Sequence, residues 1–177
     1  IYRLPIRLYV GLTKPARITV LGQEFAGEVI AAGKNVTAPS VGDRIFAAAG
    51  FTMGAYAEFR RFPQKGAWAA IPPNVSYAEA AAIPTGGLEA LHFLRNANIK
   101  AGEKVLINGA GGSIGTFAVG LARHYGAEVT AVDSTEKLEM LRALGATHVV
   151  DYTQEDFSRR SQKYDVVFDI VGKSSFW

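Results

Sequence analysis

Lys104-Val105-Leu106-Ile107-Asn108-Gly109-Ala110-Gly111-Gly112-Ser113-Ile114-Gly115-Thr116 opens as a short apolar run. It passes through a knot of small residues and ends where a helical pattern begins. A strand that feeds a helix through glycines is built to hold a pyrophosphate. The tight turn excludes bulk, and the free N–H groups and positive end of the helix face the phosphates. The glycines are not in strict G-x-G-x-x-G register. Ala110-x-Gly112-x-x-Gly115 has the spacing with alanine in first place, preceded by Gly109. Alone, such a bend says little, because glycine-rich turns are common.

Its surroundings say more. Ile114, Phe117, Ala118, Leu121, Ala122 and Tyr125 fall at helical spacing on one face, and Gly126 follows where a C-terminal cap belongs. A second apolar run, Val129-Thr130-Ala131-Val132, ends in Asp133. That acid lies about 20 residues beyond the glycines, where a dinucleotide fold places its ribose-binding carboxylate. Further on, a helical pattern through Leu138, Leu141 and Leu144 stops at Gly145, and His148–Tyr152 reads as a third strand. A polar helix is expected over roughly Glu155–Ser161, then a fourth strand over Asp165–Val171. Alternating strands and helices with apolar strands predict a parallel sheet covered on both faces, with ligand at the C-terminal strand ends.

The earlier half reads differently. Residues 1–20 carry no sharp pattern beyond the Lys14-Pro15 break. Leu21–Ile30 reads as a strand region, Ile45-Phe46-Ala47 as another and Ala55–Phe59 as a third, separated by glycine and proline turns. That texture predicts a small barrel or sandwich. Ser76-Tyr77-Ala78-Glu79 spells a capping box, and the helix it starts must break near Pro84 before resuming through Leu88, Leu91 and Leu94. The domain border is placed near Pro73, giving units 1–73 and 74–177.

Composition limits the function. The 177 residues are 49% hydrophobic and 20% charged, with a net charge of +3, an ordinary balance for a folded domain. No apolar run is long enough for a membrane span and no leader pattern opens the chain, so a cytoplasmic location is expected. Arg60-Arg61 and Arg159-Arg160 are too sparse for a nucleic-acid surface. Cysteine is absent, which removes disulfides, thiolate nucleophiles and thiolate-bound zinc. His92, His124 and His148 are too far apart for a local metal pair on a helix. The residues suggest no acid–base pair, nucleophile–histidine pair or triad.

The words Leu21-Gly22-Gln23-Glu24-Phe25-Ala26-Gly27-Glu28-Val29, Val41–Phe46, Gly54–Phe59, Glu79–Pro84, the glycine bend, and Leu144-Gly145-Ala146 with Asp151-Tyr152 run the length of the chain. In that order they resemble the medium-chain dehydrogenase/reductase superfamily, on its quinone-oxidoreductase-like branch. The resemblance implies a GroES-like β-barrel domain followed by a Rossmann domain, with the active site in the cleft between them. It also implies a longer chain, one truncated here at both ends, and a homodimer at full length. Zinc-dependent relatives carry a histidine at the position of Gln23 and cysteines besides, so a zinc-independent enzyme is expected, with Gln23 lining the substrate cleft.

Gly109, Ala110, Gly112, Ser113, Ile114 and Gly115 would cradle the pyrophosphate. Asp133 would accept the adenosine-ribose hydroxyls, or cap the following helix. The acid favours NAD, whereas Ser134 and Lys137 follow at once. NADP-using relatives place lysine and tyrosine at the positions of Lys137 and Tyr152. NAD or NADP is therefore expected, with a lean to NAD. Thr85 resembles a residue near the nicotinamide or serves as a helix cap, and Val171-Gly172 should touch the nicotinamide ribose. The expected activity is hydride transfer from NAD(P)H to a quinone, enone or other small carbonyl compound. A dinucleotide-binding protein with little turnover and a zinc alcohol dehydrogenase are the alternatives.

Overall fold

A computed structural model of the protein describes residues 3–14 and 18–172. The chain forms two compact units, Ile1–Thr85 and Gly86–Trp177. Pro15 of the Lys14-Pro15 break lies outside the described residues.

The first unit holds helix α1 (Arg3–Val10), strands β1 (Glu24–Glu28), β2 (Arg44–Ala48) and β3 (Ala67–Ala70), and helix α2 (Tyr77–Ala81). The strands form an antiparallel sheet in the order β1-β2-β3. Alternate residues of β2, Ile45 and Ala47, are buried, as one-sided packing requires. Helix α2 covers β1 and β2. Its capping box is complete: the Ser76 hydroxyl accepts from the Glu79 N–H, and the Glu79 carboxylate accepts from the Ser76 N–H at 2.9 Å. Arg44 ties the preceding loop down, donating to the Val75 carbonyl at 2.8 Å with its guanidinium over the Tyr77 ring.

Three expectations in this half and the next are corrected. The strand within 21–30 is confined to Glu24–Glu28. Ala55–Phe59 is not a strand but an irregular bend. The N–H groups of Ala55 and Tyr56 donate to the Gly22 and Leu21 carbonyls, and that of Ala57 turns back onto the Ala55 carbonyl. The strand that does pair with β2 is Ala67–Ala70. The helix expected over Glu155–Ser161 shrinks to a 3-10 turn over Phe157–Arg159, where Asp156 accepts from the Ser158 N–H.

Helix α3 (Pro84–Ala97) begins on Pro84, a residue suited to a first turn because its missing N–H would have no partner there. Beyond it come β4 (Lys104–Asn108), α4 (Ser113–His124), β5 (Glu128–Asp133), α5 (Leu138–Ala143), β6 (His148–Asp151) and β7 (Val166–Asp169). The four strands are parallel, in the order β6-β5-β4-β7. Val105 and Ile107 pack with Val129, Ala131, Ala118, Val119, Ala122 and Leu94, whereas Leu106 points into a second cluster with Val132 and Val150. Adjacent residues of one strand thus serve opposite faces, the period of two expected of a sheet covered on both sides. The order doubles back at β4, which has β5 on one side and β7 on the other. A crevice at such a reversal is where doubly wound sheets take their ligands. Among the described residues no helix is long and apolar enough to cross a membrane.

Candidate dinucleotide site and acceptor pocket

All four parallel strands end in an amide or an acid: Asn108, Asp133, Asp151 and Asp169. Between β4 and α4 runs the bend of small residues. The N–H groups of Gly109 and Ala110 both donate to the Val132 carbonyl at 3.1 Å, and that of Gly112 to the Gly109 carbonyl. Gly112 is the N-cap of α4 and gives it no side-chain acceptor. The N–H groups of Ser113, Ile114 and Gly115 fall in the first turn, which helix geometry leaves without intrahelical partners. Gly112 and Ser113 are exposed.

Each bare position has a reason. A Cβ on Gly115 would strike the Gly109 carbonyl oxygen and the backbone of Ala110, so only glycine lets α4 start this close to β4. Gly109 has φ +83°, and a Cβ there would stand 2.9 Å from Val171 Cγ2. A Cβ on Gly111 would meet the Lys137 side chain and lie 3.0 Å from Asp133 Oδ2. These bare positions let the bend pack closely on β4, β5 and β7, and leave Gly112 and Ser113 exposed at a helix start, where backbone N–H groups can meet an anion.

Asp133 is 7% exposed and turned towards this bend. Its Oδ2 accepts from the Gly111 N–H at 2.7 Å and its Oδ1 from the Ser134 N–H at 2.8 Å, with Lys137 Nζ 3.7 Å away. Of the residues singled out in the sequence, Asp133, Ser134 and Lys137 thus meet beside the glycines. The carboxylate fastens the bend and does not cap α5. Tyr152 follows β6, its side chain exposed and its N–H on the Asp133 carbonyl. Next to it, the Thr135 and Thr153 hydroxyls hold the Asp151 carboxyl below the usual carboxylate range, at 2.5 and 2.6 Å. Val171 and Gly172 follow β7, with Val171 packed over Gly109.

Gln23 and Thr85 come together in the first unit. They line a pocket of about 580 Å³ with Leu21, Gly22, Glu24, Met53, Tyr56 and three alanines of the α2 region. Glu24 fixes one wall by accepting from the Thr85 N–H at 2.9 Å. Gly22, φ +97°, is bare because the Tyr56 ring lies over it, 2.7 Å from where a Cβ would stand. Two sets of residues here were missed in the sequence. Tyr56 was hidden inside an apparent strand, and Glu24, the first residue of β1, reads in sequence as serving only the fold. Asn108 and Asp169 had one visible signal, the recurrence of Asn or Asp at the end of each parallel strand. His92 and His148 lie against Asn96 and Glu128, apart from both sites. No group of three or more metal-ligating side chains occurs among the described residues.

A doubly wound parallel sheet with a small-residue bend at its reversal is the architecture in which dinucleotide-binding folds take their ligand. The alcohol dehydrogenase GroES-like domain family matches residues 5–73, and the zinc-binding dehydrogenase family matches residues 113–177. A 2-methylene-furan-3-one reductase of Solanum lycopersicum is 38% identical over 88% of this chain and 42% of its own length. An NADPH-dependent alkenal/one oxidoreductase, chloroplastic, of Arabidopsis thaliana is 38% identical over 87% of this chain and 42% of its own. The solved structure of the quinone oxidoreductase from Coxiella burnetii superposes with a TM-score of 0.75 at 31% identity, over 94% of this chain and 52% of that one. The chain belongs to the medium-chain dehydrogenase/reductase superfamily, and its relatives are of the quinone-oxidoreductase-like kind. It spans about half the length of the curated relatives it matches.

Proposed function

We propose that the full-length protein is a zinc-independent, NAD(P)H-dependent oxidoreductase acting on a quinone, an enone or another small carbonyl compound. The observation that carries this reading is the bend at Gly109–Gly115, with Gly112 and Ser113 exposed at the start of α4 and Gly111 fastened to Asp133. The N–H groups of Ser113, Ile114 and Gly115 would hold the diphosphate, with Gly109, Ala110 and Gly112 leaving it room. Val171 and Gly172 would line the nicotinamide end. Such a site, holding a reduced nicotinamide, would present a hydride (two electrons with one hydrogen) to the acceptor, with the balancing proton drawn from solvent.

The pocket around Gln23 and Thr85 would take the acceptor. Its walls are mostly apolar, suited to a planar conjugated carbonyl, and the Gln23 amide or Thr85 hydroxyl would donate to the carbonyl oxygen. By the family resemblance Gln23 takes the position of a zinc-ligating histidine, and the chain has no cysteine. Polarisation by hydrogen bonds therefore replaces polarisation by a metal.

Asp133 favours NAD, because a carboxylate repels a 2′-phosphate. The opposite preference is supported by Lys137, whose ammonium stands 3.7 Å from that carboxylate, and by the printed name of the Arabidopsis relative. Both reduced cofactors should be titrated against the full-length protein by nicotinamide fluorescence, and their oxidation followed with a panel of quinones and enones. Turnover with at least one acceptor, and tighter binding of NADH, is the expected result. A strong preference for NADPH would overturn the Asp133 argument, and binding without any turnover would leave a dinucleotide-binding protein in place of an enzyme.

A further inference from the structure

The reversal point of the parallel sheet, between β4 and β7, is bridged by side chains. Asn108 and Asp169 are the last residues of the two strands and stand opposite each other in the register. Asn108 Nδ2 donates to Asp169 Oδ1 at 2.8 Å. The same oxygen accepts from the N–H groups of Val171 at 3.1 Å and Gly172 at 3.2 Å. One carboxylate oxygen thus gathers three donors, two of them from the turn that leaves β7. The Ile170 N–H continues the ladder onto the Asn108 carbonyl at 3.1 Å. The turn so shaped lays Val171 against Gly109, whose missing side chain makes room for it.

We propose that Asp169 is a positioning residue for the dinucleotide. Its Oδ1 locks the Val171–Gly172 turn onto the glycine bend, so that the surfaces for the diphosphate and for the nicotinamide end form one preshaped bed. Asp169 itself need not touch the ligand. The inference rests on the proposed cofactor site. What matters is an acceptor oxygen at one point in space, because the three donors converge there; a charge displaced by one methylene would not serve. Without that oxygen the turn N–H groups look to water, and the bed must be ordered anew at each binding event.

The test is the dissociation constant for NADPH and for NADH, by fluorescence, in the full-length wild type and in Asp169→Ala, Asp169→Glu and Asp169→Asn. Unfolding midpoints are recorded alongside. Three hydrogen bonds converging on one oxygen correspond together to about a tenfold or larger change in an equilibrium constant. Asp169→Ala and Asp169→Glu are therefore expected to weaken the preferred cofactor about tenfold. Asp169→Asn keeps an oxygen acceptor at the same place and should stay within about threefold of wild type. Should the alanine variant not fold, the contrast between glutamate and asparagine decides alone. Wild-type affinity in Asp169→Glu, or an Asp169→Asn as weak as Asp169→Ala, overturns the proposal. So does a loss of midpoint without a loss of affinity, the mark of a purely structural role. A wild type that binds neither cofactor overturns the site itself, and this proposal with it; a wild type that binds alongside indifferent variants overturns only the proposal.

Discussion

Gly115 sits at a close backbone approach in the second unit, where α4 begins against the Gly109 carbonyl and the Ala110 backbone. A methyl group there meets backbone on both sides, and backbone has nowhere to yield. Gly115→Ala should destabilise the fold by about 1–3 kcal/mol, the usual range for overpacking. It should also push the start of the helix outward and remove cofactor binding. Denaturant unfolding checks the first effect and nicotinamide fluorescence the second; an alanine variant that folds and binds like wild type would show that the bend has slack. The spacing of Gly115 was legible from sequence because close helix–strand packing demands glycine at that offset. The fastening of Asp133 to Gly111 was not. An acid at a strand end has the same spelling whether it holds a sugar, caps a helix or accepts from the neighbouring loop. Only the fold shows that Gly111 comes within 2.7 Å of it.

At the scale of elements, legibility followed burial. The strands at Lys104–Asn108 and Glu128–Asp133 are continuous apolar runs because a parallel sheet covers both their faces, and the structure has them at those bounds. In the first unit, pairing decides what sequence could not. Ala67–Ala70 becomes a strand because β2 offers it a free edge, whereas Ala55–Phe59 has a stronger strand spelling and, among the described residues, bonds across only to Leu21 and Gly22 through its backbone. Helix α2, by contrast, announces itself through local chemistry. Its Glu79 carboxyl lies below the usual carboxylate range, because the Ser76 hydroxyl and the Ser76 N–H both donate to it. A carboxylate with a depressed pKa lends stability that is present above its unfolded pKa and is lost as pH falls through the folded one. The unfolding midpoint should therefore drop between neutral pH and about pH 3, passing the ordinary glutamate value of about 4.3. Glu79→Gln should drop less over the same interval, since it has no charge to lose there. Equal slopes for the two proteins would mean that the box adds nothing to the charged state.

For the whole molecule, the remaining question is whether a metal takes part in the reaction. One matching family bears the description zinc-binding dehydrogenase, and its match covers residues 113–177. That stretch, like the rest of the chain, contains no cysteine. Catalytic zinc takes three protein ligands drawn from cysteine, histidine and carboxylates, with a fourth position left open. The pocket proposed for the acceptor presents Gln23, Glu24 and Thr85 instead, and Glu24 already accepts from the Thr85 N–H. A neutral carboxamide and a hydroxyl are poor partners for zinc but good donors to a carbonyl oxygen, so the pocket suits hydrogen-bond polarisation. Prolonged dialysis of the full-length protein against a strong zinc chelator should then leave turnover within about twofold of the untreated enzyme, a difference below about 0.5 kcal/mol in barrier. Turnover that vanishes on chelation and returns with added zinc would instead place a metal in the reaction and remove the role proposed for Gln23. Gln23→Ala completes the argument. It should lower kcat/KM by about tenfold or more, in line with removal of one hydrogen-bond donor from a developing oxyanion, while leaving cofactor affinity untouched.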